Sequence, residues 1–120
     1  MEIIELPEHK RGDRWPGITI GPVDFGGSPP SYPLVSCRLY FRTKQGHRFS
    51  YGFAYPAAEG FGVITVLDSV NWEVKFPEQE LPLEAGQYDW DFEVTDSSSA
   101  LPTTLCGGTI TVTRDETYDD

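Results

Sequence analysis

The chain has 120 residues and carries nine lysine and arginine side chains against nineteen aspartates and glutamates, for a net charge of −10. A protein that binds nucleic acid needs a basic patch for the phosphates, so this charge balance argues against a nucleic-acid partner. No stretch approaches the roughly 20 apolar residues of a membrane span, and the chain does not open with basic residues followed by an apolar run. We therefore expect one domain over residues 1–120, made in the cytoplasm and without a membrane partner.

The charge is unevenly distributed along the chain. Residues 1–60 hold seven basic and six acidic side chains, a net of +1, whereas residues 61–120 hold two basic and thirteen acidic ones, a net of −11. If the two halves present their charges on separate faces, contact between copies of the chain is electrostatically favoured.

Ten prolines and twelve glycines are spread along the chain. They leave few uninterrupted windows for a helix of about 11 residues and favour short strands. The two cysteines, Cys37 and Cys106, lie far apart and lack the paired spacing of metal ligands. We expect both to be buried thiols, because disulfides are uncommon in the cytoplasm.

The first clear strand signal lies in residues 35–42, where apolar side chains alternate with polar ones. The side chains expected on its inward face are Val35, Cys37, Leu39 and Phe41. A turn at 44–46 leads into residues 47–53, where Phe49, Tyr51 and Phe53 repeat the alternation. The two segments predict a β-hairpin.

Three further segments follow the hairpin. The β-branched run at 63–67 predicts a strand, and a turn at 68–69 leads to a strand with Trp72, Val74 and Phe76 facing inward. Residues 77–84 can form one short helical turn, which Pro82 keeps brief.

The strongest strand signal is residues 88–94, where four large apolar side chains alternate with Asp89, Asp91 and Glu93. A turn at 97–99 precedes a final strand, residues 103–113, which Gly107-Gly108 interrupts. A glycine pair within a strand pattern is typical of a bulge or bend.

Together the segments predict about seven or eight short strands, at the spacing of an all-β, antiparallel, immunoglobulin-like sandwich. A parallel sheet is disfavoured because the chain offers no crossover helices. The ordered core is expected over about residues 11–114, followed by a flexible acidic tail at 115–120.

Four segments in this order carry a family resemblance: 11–15 (RGDRW), 35–42, 83–91 (LEAGQYDWD) and 107–112 (GGTITV). They resemble the small β-sandwich domains of phage and prophage tail and baseplate proteins, near the N-terminal domain of baseplate upper proteins. The third segment is the most specific. The resemblance spans roughly residues 11–117 and departs before residue 34, where glycines and prolines break up the first strands.

The resemblance implies a virion structural component that attaches tail, baseplate or fibre parts through protein–protein contacts. Its implied partners are other phage structural proteins or further copies of the chain. It carries no catalytic residues, so we expect no enzyme activity and no cofactor.

The candidate interaction surface consists of residues that fall outside the predicted core: Tyr32, Tyr40, Tyr55, Asp89, Asp91 and Glu93. Carboxylates on one strand face repeat about 7 Å apart, too far for two to bind one Ca²⁺, so no metal site is expected. We interpret the three as a solvated face opposite Arg38, Arg42 or Lys75.

The aromatic residues leave an alternative open. If Tyr32, Tyr40 and Tyr55 cluster, they mark either a platform for stacking sugar rings or the hot spot of a protein interface. The first would make the chain a carbohydrate-binding sandwich. The histidines, His9 and His47, lie in no recognisable nucleophile motif, which disfavours an enzyme.

Overall fold

A computed structural model of the chain describes residues 2–3, 9–10, 14–23, 27–98 and 101–113. These residues form strands, turns and loops without a helix, which confirms the all-β class. None of them belongs to a helix that is long and apolar enough to cross a membrane. The predicted acidic tail at 115–120 and residues 11–13 of the first resembling segment lie outside the described residues.

The described residues contain twelve strands, and six of these are only two residues long. The strands are β1 (Glu2–Ile3), β2 (His9–Lys10), β3 (Arg14–Trp15), β4 (Thr19–Ile20), β5 (Leu34–Thr43), β6 (Phe49–Tyr55), β7 (Gly62–Val63), β8 (Thr65–Asp68), β9 (Glu73–Lys75), β10 (Gln79–Glu80), β11 (Gly86–Asp96) and β12 (Thr103–Thr113). The expected count of about seven or eight is therefore not confirmed.

The main sheet has seven strands in the order β1-β12-β11-β5-β6-β7, with β2 also paired to β12. Its four long strands are antiparallel, as expected. At its edges, however, β1 and β2 pair with β12 in parallel, and β7 pairs with β6 in parallel. The expectation of a purely antiparallel arrangement is wrong at these edges, where two-residue strands pair in parallel although the described residues contain no crossover helix.

A second layer covers one face of the main sheet. It consists of the three-stranded sheet β4-β9-β8 and the pair β10-β3. Phe76, next to β9, lies with its ring 5.6 Å from that of Phe92 and 5.4 Å from that of Phe53 in the main sheet. Trp15 of β3 stacks 5.7 Å from Phe53. The two layers share one apolar interior, which is consistent with a β-sandwich.

The predicted inward faces meet in this interior. The buried side chains from the three strongest signals are Cys37, Leu39, Phe41, Trp72, Val74, Phe76, Tyr88, Trp90, Phe92 and Val94. Both cysteines are buried thiols, as predicted. The alternation of apolar and polar residues thus identified most of the core.

Two β-bulges overturn the predicted inward position of two residues. Thr95 pairs with Ser36 but Asp96 pairs with Leu34, so Val35 is an extra residue and is 47 % exposed. In the hairpin, the extra residue lies between Phe49 and Tyr51, and Phe49 is 52 % exposed. Because a bulge shifts the side-chain alternation by one residue, the side chains of Val35 and Phe49 point away from the core.

The predicted strand at 63–67 is two strands in different layers. Val63 of β7 pairs with Ala54 in the main sheet, and Thr65 of β8 pairs with Lys75 in the second layer. Ile64, between them, is buried and joins the layers.

Residues 77–84 do not form the short helical turn that the sequence allowed there. The segment is extended, and β10 within it pairs with β3. Leu81 and Leu83 are both buried on either side of exposed Pro82. An extended chain points both leucines inward, and their burial favours it over a helical turn.

The final strand is continuous through Gly107-Gly108, so the expected interruption there is wrong. The bulge lies nearby, at Leu105, because Phe92 pairs with Cys106 and Glu93 with Thr104. Gly107 has a different role: a Cβ atom there would lie 2.7 Å from the backbone oxygen of Trp90. The glycine allows β12 and β11 to approach closely.

Candidate interaction surface

The side of the main sheet that faces away from the second layer carries three stripes of side chains, which we call the outer face. The acidic stripe is Asp89, Asp91 and Glu93 of β11, the basic stripe is Arg38 and Arg42 of β5 with Tyr40 between them, and the apolar stripe is Phe49, Phe61 and Val63. The register places Asp89 beside Arg42, Asp91 beside Tyr40 and Glu93 beside Arg38.

Three aromatic rings form a cluster on the outer face. The ring of Tyr40 lies 5.7 Å from that of Phe49 and 6.0 Å from that of Phe61, and the two phenylalanine rings are 5.6 Å apart. Gly52 lies opposite Tyr40, and a Cβ there would be 3.2 Å from ring atoms of both Tyr40 and Phe61. The cluster therefore depends on the missing side chain at Gly52.

Both arginines of the basic stripe lie against these rings. The guanidinium carbon of Arg38 is 5.7 Å from the ring centre of Phe61, and that of Arg42 is 4.8 Å from the ring centre of Tyr40. Arg38 Nη1 also donates a 3.0 Å hydrogen bond to Tyr40 Oη, and this bond is the main cause that raises the pKa of Arg38. These contacts hold the cationic groups over the aromatic cluster.

The acidic stripe faces the basic stripe, as predicted for Arg38 and Arg42. Asp91 Oδ2 lies 3.4 Å from Arg42 Nη1, and Asp89 Oδ2 lies 3.7 Å from Nδ1 of exposed His47. The other oxygen of Asp91, Oδ1, is buried and has no hydrogen-bond partner among the described residues. Lys75, also named as a counter-charge, lies on β9 in the second layer, away from this stripe.

The three tyrosines singled out from the sequence do not form one platform. Tyr40 belongs to the outer face, but Tyr55 pairs with buried Cys37 and lies two residues beyond buried Phe53 on the same strand. Alternation along β6 thus places Tyr40 and Tyr55 on opposite sides of the sheet. Tyr32 lies before β5 and is 51 % exposed, and its carbonyl accepts a 2.7 Å hydrogen bond from Trp72 Nε1.

Sequence reasoning missed Phe49 and Phe61 as members of the surface. The alternation in residues 47–53 assigned Phe49 to the core, and the bulge that turns it outward leaves no pattern in the sequence. Phe61 lies in a glycine-rich connection, without periodicity to indicate its face. A useful signal was the arginine pair at positions 38 and 42, which marks the outward phase of β5.

A small depression of about 190 Å³ lies next to the cluster, and Arg38, Tyr40, Glu93 and Thr95 are among its lining residues. Pockets that enclose small-molecule ligands typically measure about 300–1,000 Å³. Within the described ranges, three or more metal-ligating side chains do not come together. The outer face beside the aromatic cluster is therefore better suited to surface contact than to enclosing a small molecule.

No protein-family model, no curated protein and no solved structure gives a significant match to the chain.

Proposed function

We propose that this domain is a noncatalytic interaction module that binds another protein through its outer face. We further propose that it serves as a structural component of a phage or prophage virion, in the attachment of tail, baseplate or fibre parts. The observation that supports binding is the aromatic cluster: exposed Phe49 packs on Tyr40 and Phe61, and Arg38 and Arg42 lie against the rings.

This composition is typical of protein interfaces. Aromatic and arginine side chains dominate the binding energy of interface hot spots, and charged groups around them provide orientation and specificity. On the outer face, the rings are held by one another and by Gly52, so little side-chain entropy would be lost when a partner covers them.

The virion role rests on the resemblance of the four segments, and we propose the immunoglobulin-like form of sandwich on the same basis. In the family that the chain resembles, the leucine, alanine and glycine of the third segment end a short turn and begin the strand that carries the tyrosine. Leu83 is buried, β11 begins at Gly86, and Tyr88 is the first buried residue of that strand. These positions support the proposal, because a buried leucine before Gly86 and a buried tyrosine after it fit that turn and strand start.

The proposal is tested in the particle itself. Mass spectrometry of purified phage particles from the host that encodes the chain should detect the wild-type protein. The variant Phe49→Asp, which places a charge in the aromatic cluster, should be lost from particles, whereas Lys75→Glu on the second layer should be incorporated normally. Absence of the wild-type chain from particles would contradict the virion role, and normal incorporation of folded Phe49→Asp would contradict binding through the outer face.

A further inference from the structure

The charge pattern of the outer face indicates which protein it binds. We infer that this partner is a second copy of the chain, packed outer face to outer face. The two copies are related by a two-fold axis that lies between the two faces, parallel to the strands and above the gap between β11 and β5. The inference rests on the proposed function, namely that the outer face binds a protein.

The strand order is symmetric about this axis. In the order β1-β12-β11-β5-β6-β7, β11 and β5 are the two central strands. A half-turn about the axis above the gap between these two strands brings the outer faces of the two copies together. It lays β11 of one copy over β5 of the other. The same rotation lays β6 over β12, so the contact is isologous and closes as a dimer.

The register then matches opposite charges. Within one copy, Asp89 is level with Arg42 and Glu93 is level with Arg38. Rotation about an axis parallel to the strands preserves this level, so Asp89 of one copy lies over Arg42 of the other, and Glu93 lies over Arg38. Each contact occurs twice because the axis is two-fold.

The middle level pairs a carboxylate with a hydroxyl. Asp91 is level with Tyr40 in one copy and lies over Tyr40 of the other after rotation. Tyr40 Oη already accepts a hydrogen bond from Arg38, so its own proton is directed elsewhere and can be donated to a carboxylate of the second copy. Such a charge-assisted hydrogen bond is among the stronger polar contacts.

The apolar stripe also finds a suitable surface. Phe49 of β6 lies over β12 of the second copy, where the outward positions are Gly107, Thr109 and Thr111, level with Asp91, Asp89 and Gln87. Gly107 is already buried within one copy, but Thr109 and Thr111 are half-buried, and an aromatic ring can cover their small side chains. The dimer would therefore bury exposed Phe49 twice, once on each side of the axis.

The test uses sedimentation velocity on the full chain at up to about 100 µM, where a dissociation constant of ~10 µM gives mostly dimer. Wild type should be a dimer. Glu93→Arg alone and Arg38→Glu alone should each dissociate at least about tenfold more readily, because each homodimer then opposes two pairs of like charges. Lys75→Glu, an exposed charge change in the second layer, should leave the dimer unchanged.

The decisive measurement is to mix the two single variants. In the mixed dimer, the arginine introduced at position 93 of one chain meets the glutamate introduced at position 38 of the other. The unchanged Glu93 and Arg38 also meet, so dimer formation should recover at least about tenfold. A loss caused only within each chain would not recover on mixing, since each variant still lacks its own pair. Asp89→Arg mixed with Arg42→Glu provides an independent repeat should either member of the first pair fail to fold by circular dichroism.

A monomeric wild type, or a failure of both mixtures of folded variants to recover dimers, would overturn the inference. Either result would still be compatible with the proposed function if the chain is found in particles and Phe49→Asp is excluded from them. Absence of the chain from particles, in contrast, removes the virion role whether or not the copies pair in solution.

Discussion

The guanidinium carbon of Arg42 lies 4.8 Å from the centre of the Tyr40 ring, two residues away on the same strand. Both side chains point outward, so the contact stabilises the outer face without reaching the core. Arg42 also approaches Asp91 of the neighbouring strand, which places one cation between a ring and a carboxylate. The outer face is therefore an ordered surface before any partner arrives.

Replacement of Tyr40 should separate the contribution of its ring from that of its hydroxyl. Tyr40→Ala removes the contacts with Phe49, Phe61 and both arginines and should lower the free energy of unfolding by about 1–3 kcal/mol. Tyr40→Phe keeps the ring and loses only the hydrogen bond from Arg38, for about 1 kcal/mol or less. Urea denaturation measures both, and equal losses would show that the ring contacts contribute nothing.

The same substitution at two phenylalanines of β6 should have very different costs. Phe53 is fully buried and contacts the rings of Trp15, Phe41, Tyr51 and Phe76, so Phe53→Ala should cost ~3–5 kcal/mol of unfolding free energy. Phe49→Ala, at an exposed position, should cost ~1 kcal/mol. Thermal or chemical denaturation compares the two, and a larger loss at Phe49 would contradict the bulge that turns it outward.

A methyl group at Gly107 should be poorly tolerated. Its Cβ would lie 2.7 Å from the backbone oxygen of Trp90, and a backbone atom cannot move aside without disturbing the pairing of β11 and β12. We expect Gly107→Ala to cost ~1–3 kcal/mol, the range for overpacked sites. Thr109→Ala, at the next outward position of β12, is the matched control and should cost under ~1 kcal/mol in the same denaturation experiment.

Burial raises the pKa of the Cys37 thiol from 9.0 to about 12, because the thiolate would be formed away from water. The unfolded chain therefore loses this proton at lower pH than the folded chain, and the free energy of unfolding should fall as pH rises from 9 towards 12. Cys37→Ala should show a shallower fall over that range. Alkylation at pH 8 followed by peptide mapping should leave Cys37 unmodified until the protein is unfolded, and rapid modification of the folded chain would contradict its burial.

The sequence predicted the core wherever a strand keeps strict alternation. Residues 88–94 are the clearest case: Tyr88, Trp90, Phe92 and Val94 are all buried, and the three acidic residues between them lie on the outer face. Here one buried face is enough to specify the phase of the strand. The same reasoning succeeded for Trp72, Val74 and Phe76.

The parts that could not be predicted depend on pairing between strands. A bulge is defined by two residues on one strand opposite one on its neighbour, so the outward turns of Val35 and Phe49 are visible only once the partner register is known. The aromatic cluster depends on such a bulge. For the same reason, the sequence identified Tyr40 as an outward aromatic residue but not the rings that surround it.

The passage of the chain from one layer to the other has a mechanical consequence. Val63 is paired in the main sheet and Thr65 in the second layer, and buried Ile64 is the single residue between them at this crossing. So short a tether leaves no slack for the layers to slide past each other, so shear motion between them is restricted. Force applied to one layer at this crossing is transmitted directly to the other.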